Sequence, residues 1–223
     1  EPSALFPSQV GARIREDYED VRASLFLSEC IEPMQKFATE NNTKMRLQAH
    51  GGYCHVLDAY ALADIPEAEG LFAGGSMDFL KLASSAAHVT GRPVVTSESF
   101  VSVNLENAAL SAQYLYLLSA RAFVAGINRL VFHGFAYDYP TADGRRWFPF
   151  APAQDRVSAG PLRIISEFTA EHDIWPELND FTLYVSRMGE ALTQGEHMAS
   201  IAWLMPEREV ADSISLVSGG VAA

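Results

Sequence analysis

The chain has 223 residues, and its 48% hydrophobic, 11% aromatic composition is that of a folded domain with a sizeable core, not of a disordered segment. A net charge of −12, from 16 Lys and Arg against 28 Asp and Glu, leaves no basic footprint for nucleic acid and no attraction to an anionic membrane. It suits a neutral substrate such as a sugar, or a bound cation, and it also simply favours solubility.

The chain opens at Glu1, without Met and without a signal-peptide pattern, and so reads as a processed chain or a segment of a longer one. Residues 10–42 carry helical periodicity: Ile14, Tyr18, Val21, Leu25, Ile31, Met34 and Phe37 recur every three or four positions. Pro33 is expected to kink or divide this helix, and Asn41 and Asn42 to close it. Residues 44–49 read as a short strand running into the turn His50-Gly51-Gly52. Residues 53–75 look irregular, with an acidic centre from Asp64 to Gly70. A helix over 76–90 is opened by Ser76 and ended by Gly91. A strand over 93–97, a helix over 107–124 ended by Gly126, and a strand over 129–133 follow. Then come an aromatic loop over 134–159, helices over 161–171 and 178–193, a final strand over 198–204 and a Ser/Gly/Ala-rich tail. Cys30 and Cys54 have apolar or aromatic neighbours and no CxxC spacing, so they read as buried thiols. No apolar run reaches the roughly 18 residues of a membrane span.

Short apolar strands alternating with longer helices imply an α/β fold with a parallel sheet and right-handed crossovers. His50, Glu98 and His133 fall at strand C-terminal ends, where sites sit in barrels and doubly wound sheets alike. No glycine-rich phosphate loop follows any strand, which counts against a nucleotide-binding fold. Three strand–helix units precede the aromatic loop, whereas a complete barrel takes eight strands and about 250 residues. The expected architecture is therefore a partial (β/α)8 TIM-type barrel, its last strands, plus the start of a following element. Residues 1–195 would form the barrel part, and 196–223 the final strand and tail leading onward.

Four constellations can carry chemistry. Glu98 follows the strand at 93–97, where a rigid backbone can aim a carboxylate at a sugar's anomeric carbon; a plain surface glutamate is the competing reading. Period-two alternation puts Arg46, Gln48 and His50 on one strand face, as substrate-binding groups or as a structural polar network. Asp64, Glu67 and Glu69 crowd a proline-fixed turn; such carboxylates can ligate a hard cation, and equally can be solvated. His133 and Tyr137 lie in a run of aromatic and polar residues suited to stacking on a pyranose and bonding its hydroxyls. Nucleophilic-serine and zinc-protease motifs are absent from the sequence.

Four segments in order, RLQAHGGYCHVLDAYALADIPEAEG, LKLASSAAHVTGRPVVTSESF, AGINRLVFHGFAYDYP and WPELNDFTLYVSRMGEALTQGE, resemble glycoside hydrolase family 106, large secreted α-L-rhamnosidases with a (β/α)8 catalytic barrel. The resemblance spans about residues 17–206. It implies an inverting hydrolysis by two glutamates, Glu98 among them, of rhamnose-containing polysaccharide outside the cytoplasm or in the periplasm. It further implies a Ca2+ ion that helps hold the sugar, with Glu67 or Glu69 near the sugar or ion; Glu69 and Asp64 are the expected metal ligands. The chain lacks the Asn-Glu pair that marks the acid of retaining barrels. The other readings left open are a retaining β-galactosidase-like barrel with Glu98 as nucleophile, and a carbohydrate-binding protein without catalysis.

Overall fold

The computed structural model describes residues 9–70, 75–103, 111–134, 164–165, 168, 173–195 and 197–202. The N-terminal helix is realised as α1 (Gln9–Phe26), a π-helical turn (Leu27–Ile31) and α2 (Glu32–Glu40). The backbone stays helical from the π segment into α2, so Pro33 sits inside a continuous helix, and the π-helical turn directly before it divides that helix where a missing N–H and a ring clash disturb the ladder. β1 is Arg46–Leu47, α4 is Met77–Thr90, β3 is Thr96–Ser99, α5 is Ala112–Val124, β5 is Arg129–Phe132 and α6 is Leu178–Thr193. The Ser76 hydroxyl accepts from the N–H of Phe79 and Gly91 closes α4 in the left-handed region, as the sequence leads one to expect.

Three expectations are corrected. The stretch expected to be irregular over 53–75 holds, within its described residues, α3 (Val56–Leu62) and β2 (Ile65–Glu69). Acidic residues and Pro66 disguise β2, yet its four last residues are buried, because the carboxylates find partners there. Ile164–Ile165, expected to be helical, forms β6, antiparallel to β4 (Ser102–Val103). The final strand is absent among the described residues 197–202; Met198 and Ile201 are exposed. An apolar run becomes a strand only when a sheet edge accepts its backbone groups.

The main sheet is parallel, in the order β1-β2-β3-β5. Successive strands are neighbours, with no reversal of order. The helices share one face of it. There Ala59 and Tyr60 of α3, Leu80, Ala83, Ala86 and Ala87 of α4, and Ala122 of α5 pack on Ala49, Ala68, Val95 and Ile127. The alanines let the helices approach the strands closely. α6 covers Leu130 and Phe132 of β5 through a second core built on Phe100, Leu115, Phe168, Ile174 and Phe181. Gly126, at φ 89°, makes the turn from α5 into β5 so close to α4 that an added Cβ would meet the Ser84 Cβ at 2.9 Å. Asn128 then ties the strand starts together: its Oδ1 accepts from the N–H of Val95 at 2.9 Å and its Nδ2 donates to the carbonyl of Pro93 at 2.8 Å. Cys30 and Cys54 are free and half-buried, and burial, with Asp58 and Cys30 adding to it, pushes the Cys54 thiol up to about 11.

Candidate active site

Strand register decides which side chains meet. Arg46 pairs with Ile65 and Leu47 with Pro66. Glu67, Ala68 and Glu69 pair with Thr96, Ser97 and Glu98, and Glu98 and Ser99 pair with Val131 and Phe132. Side chains alternate along a strand, and in-register neighbours share a face. Ala68, Ser97 and Leu130 therefore belong to the helix side. Glu67, Glu69, Thr96, Glu98 and Val131 belong to the opposite side, joined by Arg46 of β1, by Gln48 and His50 just beyond it, and by His133 just beyond β5.

The hydrogen bonds on this side form one network. Glu67 accepts from Thr96 Oγ1 at 2.7 Å and from Gln48 Nε2 at 3.3 Å, and Arg46 Nε lies 3.1 Å from its Oε2. Gln48 Nε2 also donates to Glu98 Oε2 at 2.7 Å, so one amide nitrogen bridges two carboxylates. Glu69 Oε2 is 2.8 Å from His50 Nε2. His133 Nε2 is 3.9 Å from Glu98 Oε1. Burial separates the three glutamates: the side chains of Glu67 and Glu69 are each 8% exposed, that of Glu98 28%. Glu98 thus combines a fixed oxygen on Gln48 with access to solvent, which proton transfer to a bound ligand requires.

Directly after β3 the chain turns through Phe100 at φ 71°, an uncommon conformation for a bulky residue. Its buried ring stands edge-on to Phe132, Phe168 and Phe181, which pins the turn that follows Glu98 and Ser99.

Of the residues singled out in the sequence, the structure brings together Glu98, Arg46, Gln48, His50, Glu67, Glu69 and His133. It alters the setting of two. His50 has a side chain only 4% exposed, so it faces Glu69 and Tyr60 instead of the open cleft. Glu67 has both oxygens engaged by protein donors. Asp64 is not with them. It precedes β2 at the far end, where its Oδ2 accepts from the N–H of Met45 at 3.0 Å and its Oδ1 lies 3.7 Å from Arg92. At about 3.3 Å per residue it stands about 16 Å from Glu69, so the two cannot ligate one ion, and the expectation of a shared site for them is corrected. Among the described residues no group of three or more His, Cys, Asp or Glu could hold a metal; they do not by themselves fit a calcium cage, which needs six to eight oxygens. Tyr137 lies outside the described residues.

Sequence reasoning missed Thr96 and Tyr60. Thr96 was findable, two residues before Glu98 and therefore on its face of the strand. Tyr60 was not, because its helix went unrecognised.

The α-L-rhamnosidase family model Glyco_hydro_106 matches residues 9–218. Among solved structures, the chain is similar to a rhamnosidase from Novosphingobium sp. PP1Y, at 20% identity and a TM-score of 0.58 over 81% of this chain. The chain spans 17% of the length of that protein. No curated protein matches the chain.

Proposed function

The chain belongs to glycoside hydrolase family 106, the α-L-rhamnosidases, and on that premise we propose that the polar face of its sheet is part of the site where the whole protein hydrolyses an α-L-rhamnosidic bond. The observation that carries this reading is Glu98: a carboxylate in a parallel strand, oriented by Gln48, open to solvent and flanked by His133. Such a carboxylate can transfer a proton to the leaving oxygen or take one from water as an oxocarbenium-like transition state forms. Arg46, Gln48 and His133 are the groups placed to bond sugar hydroxyls, with Tyr137 as an aromatic partner.

The second catalytic carboxylate is proposed to lie beyond the described residues. Inverting enzymes keep their carboxyl groups roughly 6.5–9.5 Å apart to admit a water. Glu67 shares a single amide nitrogen with Glu98, and Glu69 is committed to His50. Neither leaves room for a sugar and a water between itself and Glu98. An ion held by Glu69 or Glu67 would likewise need ligands from outside the described residues.

The architectural part of the proposal is a partial (β/α)8 barrel. Sequential strand order, helices on one face and polar side chains on the other support it, as does the fold likeness to the rhamnosidase. The division after residue 195 is supported by the end of α6 at Thr193. The substrate is proposed to be a rhamnose-containing polysaccharide met in the periplasm or outside the cell.

The test is hydrolysis of 4-nitrophenyl α-L-rhamnoside by the full-length protein, with the product anomer followed by NMR. Release of β-L-rhamnose first is the expected result. Release of the α-anomer first would replace inversion with retention, and no release at all would leave a carbohydrate-binding protein.

A further inference from the structure

The register between β1 and β2 ends at Leu47 opposite Pro66. His50, Glu67 and Glu69 all lie beyond that point. Tyr60, from α3, stands where the ladder stops. Its hydroxyl donates to the backbone carbonyl of Glu67 at 2.8 Å. His50 Nδ1 is 3.4 Å from that hydroxyl, while His50 Nε2 faces Glu69. The residue is 1% exposed. Burial pushes the phenol well above the ordinary tyrosine range, and the nearby backbone of Ala49 and His50 offsets this only in part; the hydroxyl keeps its proton and remains a donor at any working pH.

We propose that Tyr60 is a positioning residue for the reaction: its hydroxyl takes the place of the interrupted β1–β2 ladder and, through His50, fixes the Glu69 carboxylate beside Glu98. This rests on the glycosidase reading above. Glu69 and Glu98 are register partners on adjacent strands, so a turn of the His50 ring changes what stands next to the reacting carboxylate. Arg46 and Gln48 are held by Glu67 and Glu98, so loss of the Tyr60 hydroxyl should act on turnover more than on binding.

Three variants of the full-length protein decide the matter: Tyr60→Phe, which keeps the ring and its packing, His50→Gln, and the double variant. Tyr60→Phe is expected to lower kcat about 10- to 100-fold, as small misplacements of reacting groups do, with KM within about twofold of wild type. Amide deuterium exchange in the peptide spanning residues 46–55 is expected to accelerate, while peptides from β3 stay as in wild type. Because Tyr60 acts through His50, adding Tyr60→Phe to His50→Gln should cost little further activity. Unchanged exchange at 46–55, unchanged kcat, or fully additive losses in the double variant would each overturn the proposal. A wild-type protein that turns over no rhamnoside would overturn the glycosidase reading instead, and the exchange comparison would still decide whether Tyr60 holds β1 to β2.

Discussion

Three glutamates line one face of the sheet, and what their oxygens touch divides the work among them. Glu67 spends its acceptor capacity on Thr96, Gln48 and Arg46; Glu69 is closed off against His50. Only Glu98, of the three, is both held and reachable. Replacing Glu98 by Gln keeps the shape and the bond length to Gln48 but removes the group that gives or takes a proton. General acid–base catalysis contributes about 10²–10⁴-fold, so Glu98→Gln should lower kcat by that order while the Kd for a rhamnoside stays near wild type. Steady-state kinetics with isothermal titration checks it; wild-type kcat in the variant would remove Glu98 from the chemistry. Much of this site was legible beforehand, because strand alternation is a two-residue rule: once residues 44–49 read as a strand, Arg46, Gln48 and His50 had to share a face. What alternation does not report is depth. It could not tell that His50 would be buried or that Asp64, five residues before Glu69, would sit at the wrong end of its strand.

Helices and strands here are joined by a few backbone-directed polar contacts at the ends of elements. Asn128 is the clearest, bonding the backbone of Val95 and of Pro93 where β3 begins. Asn128→Ala would orphan both groups, and at about 1–3 kcal/mol for each buried unsatisfied partner the variant should melt several degrees lower without a change in KM; a Tm equal to wild type would mean that water replaces the amide. A second junction is sensitive to pH. His88, in the last turn of α4, stacks face to face on His197 with ring centroids 3.5 Å apart. Burial first, then His197 and Lys81, hold the His88 imidazole below its usual range. The unfolded chain therefore binds this proton more readily than the folded one. The contribution to stability is present above about pH 6.5 and is lost as pH falls through the depressed value. Amide exchange in the α4 C-terminus and in residues 197–202 should accelerate on acidification in wild type and less so in His88→Phe; equal acceleration in both would refute the role of His88. The elements with strong periodicity or clear caps, α4 and α6, were readable in advance. β2 was not, since Ile-Pro-Glu-Ala-Glu looks like a solvated turn until neighbouring strands supply donors for its carboxylates, and Ile164–Ile165 was not, since two residues carry no period.

At the scale of the whole molecule, the periodicity of residues 10–25 was read correctly as helix but not as buried surface. Val10, Tyr18, Val21 and Leu25 fall on one face of α1 and are 52–59% exposed. That stripe lies on the helical segment that runs through α2 toward β1, and among the described residues β1 is an edge strand. The proposed barrel would give both the same neighbour: a preceding strand–helix unit would pair with β1 and cover the stripe. The calcium expectation belongs at this scale too, because the described residues lack the ligands. Chelation of the full-length protein with EDTA should lower its activity, with recovery on adding Ca2+, and Asp64→Ala should leave that dependence unaltered; full activity in chelator would dismiss the ion. The stripe allows a sharper comparison. Burying an aliphatic side chain is worth about 1.5–3 kcal/mol, and burying an unpaired carboxylate costs more. If a neighbouring unit covers α1, Val21→Asp in the full-length protein should lower Tm markedly. In the 223-residue chain on its own, where Val21 is 59% exposed, the same change should be neutral within about 0.5 kcal/mol and should reduce self-association. Differential scanning calorimetry of both pairs, with light scattering for the shorter one, makes the measurement. A full-length protein indifferent to Val21→Asp would show that α1 keeps its apolar face in water, and the sheet would then have to end at β1.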